Sequence, residues 1–296
     1  MSSTTNTDSL VLGRWRRRSA VVAALVTALA ATVIPASLNS ASAAVPARCT
    51  ERADGGTETA YGLTVDQRLI CFKVARPRVQ VNLMNTRDLV SPDAALIGID
   101  MRPASGAIYG LGNAGGLYVL DPTGSKPEFK ARVNVALDGR NFGMDFNPTV
   151  DRLRIVSDTG QNLRVNVDTG AATVDAFLKN VAGRVSGVGG VAYTNNDNDA
   201  STATTLFDID SVADQLATQN PPNDGLINSV GRLGFQGSAA VAFDIKSTVE
   251  NGKATDNVGY AALDGGDVLF RIDLKTGSAT FVGDIGTKLA GLTFAG

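Results

Sequence analysis

The 296-residue sequence predicts an all-β fold: a five-bladed β-propeller of four-stranded blades, closed by its own C-terminal strand. Three observations carry that expectation. After Ala44, helix-period apolar patterning gives way to short alternating runs punctuated by Gly, Asp, Asn, Thr and Pro. A glycine–apolar–small–apolar pattern recurs as LIGIDMRP from Leu96, NFGMDFNP from Asn141, VGGVAYTN from Val188 and SAAVAFDI from Ser238, and each copy leads three more strand-like runs. A further copy, KLAGLTFAG from Lys288, leads nothing, whereas the first three strand-like runs after the N-terminal segment have no leader. A repeat of about 40–50 residues with four strands per unit is the signature of a propeller. Closing the ring with both chain ends gives blade one its missing strand and hides the sheet edges. A β-sandwich explains neither the repeat nor the orphan strand.

The elements follow in chain order. Residues 1–43 read as a secretory signal peptide: a polar start, the basic cluster Arg14, Arg16, Arg17 and Arg18, an apolar run over 20–34, and the small-x-small cleavage site Ala41-Ser42-Ala43. The apolar run is too short to span a bilayer, and no later run is long enough. The arginines fit either the general secretory or the twin-arginine route. Pro46-Ala47-Arg48, ahead of Cys49, does not suit lipid attachment. Residues 44–296 are expected as a single secreted propeller domain, monomeric, with Cys49 and Cys71 joined in a disulfide that pins the mature N-terminus to blade one. Blade one takes 60–65, 69–74, 79–83 and, from the far end, 291–294. Blade two takes 96–101, 107–111, 116–120 and 129–135, and blade three 142–146, 152–156, 162–167 and 172–177. Blade four is looser, with 190–193, 205–209, a weak run over 215–218, and 226–233. Blade five takes 240–244, 259–263, 268–273 and 279–282. The outer hairpins carry turn residues, Asp121-Pro122-Thr123-Gly124, Asp168-Thr169-Gly170 and Lys275-Thr276-Gly277.

Successive side chains alternate faces in a strand. On the innermost strands one face is large: Ile99 and Met101, Met144 and Phe146, Val191 and Tyr193, Val241 and Phe243, Leu292 and Phe294. The other is small or acidic: Gly98 and Asp100, Gly143 and Asp145, Gly190 and Ala192, Ala240 and Ala242, Gly291 and Thr293. A large face against a small face lets blades approach near the axis.

Composition excludes several functions. There is no histidine, which removes Ser-His-Asp and Cys-His chemistry and the usual catalytic zinc sites. The only tryptophan, Trp15, lies in the signal segment. Four arginines and Asp8 leave with that segment, so 27 basic and 29 acidic residues become 23 and 28. That balance, without a basic stripe, argues against nucleic acid as a partner. Gly110-Leu111-Gly112-Asn113-Ala114-Gly115 matches a dinucleotide fingerprint as a string, but a strand follows it where a helix is required.

Three groups are candidates for a site. Asp100 and Asp145 share one slot on adjacent inner strands, with Ala192, Ala242 and Thr293 in it elsewhere and Asp244 two residues further along its strand. Converging carboxylates suit acid/base work or a cation. The competing reading has them bonded to backbone amides or to Arg102, Arg152 or Arg154. Arg102, Asn147, Arg152, Arg154 and Arg164 form the densest polar segment, able to take an anionic ligand or to form an inter-blade salt-bridge network. Asn195, Asp197 and Asp199 alternate oxygen ligands in a loop that lacks the glycine and glutamate of an EF-hand, leaving a non-EF calcium loop or a solvated loop. That loop and 246–257 are the longest connections between first and second strands, and they enlarge one face of the ring.

The run FNPTVDRLRIVSDTGQNLRVNVDTG from Phe146, preceded by GIDMRPASGAIYGLG and followed by GGVAY, resembles the secreted bacterial family called domain of unknown function 4394. The resemblance spans about Tyr61 to Phe294. It implies a propeller-like fold and export, and it transfers no catalytic residue. The expectation is therefore a non-enzymatic extracellular module that binds a protein or a cell-envelope glycan. The alternative is a carboxylate- or calcium-dependent hydrolase or lyase acting on carbohydrate or lactone-like substrates. With only Glu51, Glu58, Glu128 and Glu250 in the mature chain, the Asp–Glu pairing of five-bladed glycosidases has no counterpart on an inner strand.

Overall fold

Each repeat closes into one antiparallel four-stranded sheet, and five such sheets form a ring. The computed structural model describes residues 49, 58–124, 126–234 and 241–295, all within the compact unit Asn39–Gly296. The signal segment, the boundary at 43 and Ala240 lie outside the described residues.

Blade one holds β1 (Thr59–Thr64), β2 (Arg68–Lys73) and β3 (Arg76–Asn85). Blade two is β4 (Leu96–Arg102), β5 (Ala107–Gly112), β6 (Gly116–Leu120) and β7 (Glu128–Arg132). Blade three is β8 (Phe142–Asn147), β9 (Arg152–Ser157), β10 (Asn162–Val165) and β11 (Ala172–Val174). A small hairpin, β12 (Lys179–Asn180) and β13 (Gly183–Arg184), follows it. Blade four is β14 (Val188–Tyr193), β15 (Leu206–Asp210), β16 (Gln215–Gln219) and β17 (Ile227–Arg232). Blade five is β18 (Ala242–Glu250), β19 (Lys253–Leu263), β20 (Val268–Ile272) and β21 (Ala279–Asp284). The final strand, β22 (Leu289–Phe294), pairs antiparallel with β1 and completes blade one, as its orphan pattern predicts.

The core sits between blades, where large side chains meet glycines. A Cβ on Gly98 would approach the Met144 side chain at 3.1 Å, and one on Gly190 would lie 2.8 Å from Phe243. A Cβ on Gly143 would lie 2.7 Å from the Val191 backbone nitrogen, and one on Gly291 2.7 Å from that of Ile99. At the last two junctions the neighbour is main chain, so only glycine permits the approach. Cys49 and Cys71 form the expected disulfide, and both are buried against blades one and two.

Three details differ from the sequence reading. The segment 246–257 is not a loop: β18 and β19 continue as a long hairpin to the pair Glu250–Lys253. Its tip, Asn251-Gly252, has φ of 53° and 77°, the two left-handed residues that a tight hairpin turn requires. The second difference is register in blade five. Asp244 pairs with Tyr260 as Asp100 pairs with Tyr109, while Ala242 takes the place of Gly98. Asp244, not Ala242, therefore occupies the shared slot. The third is the outer edge of blade three, where β11 stops at Val174 and the chain turns into the β12–β13 hairpin.

Candidate functional site

An innermost strand has one edge turned to the axis, and N–H groups there need acceptors other than a neighbouring ladder. The slot residues supply them across each blade junction. Asp100 on β4 accepts from Phe146 N on β8 at 2.7 Å, and Asp145 on β8 accepts from Tyr193 N on β14 at 2.8 Å. Asp244 on β18 accepts from Phe294 N on β22 at 3.0 Å, and the Thr293 hydroxyl on β22 accepts from Met101 N on β4 at 3.1 Å. Each donor is the residue just after the slot on the next blade. Blade four carries Ala192 in the slot and offers no acceptor to blade five. There the corresponding donor, Ile245 N, turns to Asp244 itself at 2.6 Å. The Thr293 hydroxyl in turn donates to Asp100 at 2.9 Å.

This arrangement brings Asp100, Asp145 and Asp244 together, with an oxygen of each within 4.8 Å of the others. All three are buried. Burial, reinforced by the Asp244 charge, holds the Asp100 carboxyl well above the usual range. Burial and then the charges of Asp100 and Asp244 do the same for Asp145. Burial pushes Asp244 up to about 6, with the amides of Ile245 and Phe294 opposing it. The cluster favours carrying protons. It is also the only group of three or more His, Cys, Asp or Glu side chains among the described residues close enough to share a cation.

Of the two partners expected for these acids, the backbone amides are the ones used; the arginines are engaged elsewhere. Arg102 forks onto Asp151 and Asp168, with Nε to Asp151 at 2.7 Å and Nη1 to Asp168 at 3.0 Å. Arg152 donates to the Asp151 carbonyl. Arg154 is buried between blades three and four, bonded to Asn162 at 2.7 Å, Asp175 at 2.6 Å, Asn223 at 2.8 Å and the Tyr193 hydroxyl at 3.3 Å. Arg164 forks onto the same Asp175 at 2.7 and 2.9 Å. Asn147 caps its own turn, accepting from the amide and hydroxyl of Thr149. The polar segment thus divides into two networks that tie strands together, and no shared anion-binding face brings its members together.

Asn195, Asp197 and Asp199 stay in one loop, but their oxygens are spent within it and on the β18–β19 hairpin. Asn195 and Asn257 exchange two hydrogen bonds, Asn195 N to Oδ1 at 2.9 Å and Asn257 Nδ2 to Oδ1 at 2.8 Å. Asp197 accepts from Asp199 N, the Thr202 hydroxyl and Ala254 N. Asp199 accepts from Ser201 N and lies 3.5 Å from Lys253 Nζ. Ser247 Oγ accepts from Asn196 N, so this clasp fastens blade four to blade five where the axis has no slot acceptor. Asn198 Nδ2 reaches across to the Pro103 carbonyl of blade two at 2.9 Å.

Between that loop, the hairpin tip and the axis lies a cavity of about 310 Å³, the axial mouth. Met101, Pro103, Asn196, Val249, Thr293 and Phe294 line it. A second cavity of about 250 Å³ opens at the other end of the inner strands, beside Leu96, Phe142, Val241 and Leu289. Neither is lined by Asp100, Asp145 or Asp244. The mouth escapes the sequence reading, which takes the hairpin forming its wall as a loop connection. The Asn251-Gly252 pair was the signal that could have found it.

Among solved structures, a protein of unknown function from Bacteroides thetaiotaomicron matches at 15% identity and a TM-score of 0.49, over 77% of this chain and 56% of its own. An auxiliary nutrient binding protein from Bacteroides ovatus matches at 13% identity and a TM-score of 0.42, over 68% of this chain and 55% of its own. This chain therefore spans little more than half of either, and the similarity is too low to carry an argument about function. A search of curated proteins finds no match. The family described as Domain of unknown function (DUF4394) matches residues 68–293, the span from blade one's second strand to the Thr293 slot, and the chain belongs to that family.

Proposed function

We propose that the chain is a secreted, non-enzymatic binding module that takes its partner, a protein or a cell-envelope glycan, at the axial mouth. One observation carries this reading: the three acids that could do chemistry are buried, accept backbone N–H groups across blade junctions, and line neither axial cavity. Of the two openings along the axis, the larger is a pocket of ligand size, walled by a loop and a hairpin tip. The Cys49–Cys71 disulfide fits an oxidising, extracellular setting, as does the signal-like N-terminal segment. Among the described residues no helix is long and apolar enough to cross a membrane.

The test is a thermal-shift screen of the mature chain against envelope glycans, small organic ions and secreted proteins, repeated on Val249→Trp, which fills the mouth. The reading expects a ligand that stabilises the parent and not the variant. A ligand that stabilises both equally overturns it.

The proximity of the three carboxyl oxygens favours a second reading, a carboxylate- or calcium-dependent hydrolase or lyase. It requires calcium-dependent stabilisation, or a hydrolytic activity, that disappears in Asp145→Asn. Persistence of either in that variant removes it.

A further inference from the structure

The second cavity, at the far end of the inner strands from the mouth, has a chemistry of its own. Val65, Leu96, Phe142, Val241 and Leu289 give it apolar walls around about 250 Å³. Among the described residues that line it, Arg140 alone carries a charge. The Arg140 backbone N–H donates to Asp158, but its exposed guanidinium makes no hydrogen bond or ion pair among the described residues. Arg102, Arg132, Arg154 and Arg164, by contrast, each hold a carboxylate. The remaining polar side chains of the lining are neutral and engaged. Gln67 exchanges two hydrogen bonds with Leu96, Nε2 to the carbonyl at 3.0 Å and Leu96 N to Oε1 at 2.7 Å. Asn141 Nδ2 donates to Asp158 at 3.0 Å, and Asp158 itself does not line the cavity. Val65 is 54% exposed, so apolar wall and guanidinium are both open to solvent. Deeper in, the axis narrows to about 10 Å³ beside Gly98, Gly143, Gly190 and Gly291, so a ligand entering here stops short of the three acids. An uncommitted guanidinium beside apolar walls complements a carboxylate on an apolar body, because its planar fork of N–H donors matches the two oxygens, and it repels a cation.

We propose that this second cavity binds a small free monocarboxylate, one carboxylate on a short aliphatic chain. Arg140 takes the carboxylate, and the chain lies against Leu96, Phe142 and Leu289. At roughly 30 Å³ for each non-hydrogen atom, the cavity of about 250 Å³ holds about eight, the size of hexanoate. The site is separate from the axial mouth and does not depend on a partner being held there.

Calorimetric titration of the folded mature chain with butyrate, hexanoate and decanoate tests it, with hexylammonium and inorganic phosphate as controls. Hexanoate should bind about tenfold more tightly than butyrate, because two further methylenes are buried, and decanoate should gain little more, because its end projects into solvent. Hexylammonium should not bind, and phosphate, which has no apolar body, should be about tenfold or more weaker than hexanoate. Arg140→Gln should weaken hexanoate by about tenfold or more, and Arg140→Lys, which keeps the charge without the fork, should lose less. Arg140 is exposed, so both variants should keep the urea midpoint of the parent. Val65→Trp, which narrows the entrance, should also weaken hexanoate, whereas Val249→Trp, which fills the opposite mouth, should leave it unchanged. Silence from hexanoate, equal binding of hexylammonium, or an Arg140→Gln chain with unchanged affinity overturns the proposal. Loss of hexanoate in Val249→Trp but not in Val65→Trp overturns it as well, because the carboxylate then sits in the mouth.

Discussion

Removing the last strand should open the ring, not trim a tail. A chain ending at Lys288 loses Leu289, Leu292 and Phe294, which are 1%, 2% and 5% exposed. At roughly 1.5–3 kcal/mol for each buried side chain, the loss is about 5–9 kcal/mol before any hydrogen bond is counted. It also takes the ladder to β1, the Thr293 acceptor for Met101 N and the Phe294 donor to Asp244. A domain has only about 5–15 kcal/mol in total, so the truncated chain should be largely unfolded at room temperature. Urea unfolding followed by far-UV circular dichroism measures this directly. A circular permutant supplies the control. Phe294 is the register partner of Ala60, so a short hairpin loop can join residue 294 to residue 60. Starting the permuted chain at residue 287 keeps β22 but discards Cys49. Its midpoint should match that of the full mature chain under reducing conditions. A truncated chain with the midpoint and slope of its parent would refute the closure and the reasoning behind it.

Three other outcomes follow from the same contacts. Asp244 has its pKa raised from 3.8 to about 6, so its contribution to stability is fully present below pH 3.8 and lost as pH rises through about 6. That is on the order of 3 kcal/mol, and Asp244→Asn should make the fall in unfolding free energy between pH 4 and 6 shallower without abolishing it, because Asp100 and Asp145 are raised as well. Gly143→Ala sets a Cβ 2.7 Å from the Val191 nitrogen, where main chain cannot yield, and should cost about 1–3 kcal/mol in urea unfolding. Gly98→Ala meets only the flexible Met144 side chain and should cost less. Reducing the Cys49–Cys71 bond, which links residues 22 apart, should lower the unfolding free energy by about 3 kcal/mol.

The ring was legible in the sequence because the inner-strand pattern couples two demands, strand alternation and a glycine where blades meet. Gly143-Met144-Asp145-Phe146 and Gly291-Leu292-Thr293-Phe294 read alike because they make equivalent contacts. Blade five was harder for a physical reason. Alternation repeats every two residues, so Ala239-Ala240-Val241-Ala242-Phe243-Asp244 fits the pattern at two offsets with the same faces. Only the Asp244–Phe294 bond, between strands 50 residues apart, fixes the offset. The arginine partners were hidden for the same cause: Asp168 reaches Arg102 from 66 residues away, and no local pattern encodes that. The β12–β13 hairpin left no alternation in Lys179-Asn180-Val181-Ala182-Gly183-Arg184 to be read.

Amide hydrogen exchange tests most directly whether the axial acids serve the junctions between blades. In Asp145→Ala, the Tyr193 amide on the following blade should lose protection, while Asp145→Asn, which keeps an acceptor oxygen, should retain it. Asp100→Ala should act in the same way on Phe146, and Asp244→Ala on Phe294. Unchanged protection at Tyr193 in Asp145→Ala, or equal loss in the asparagine variant, would contradict the account.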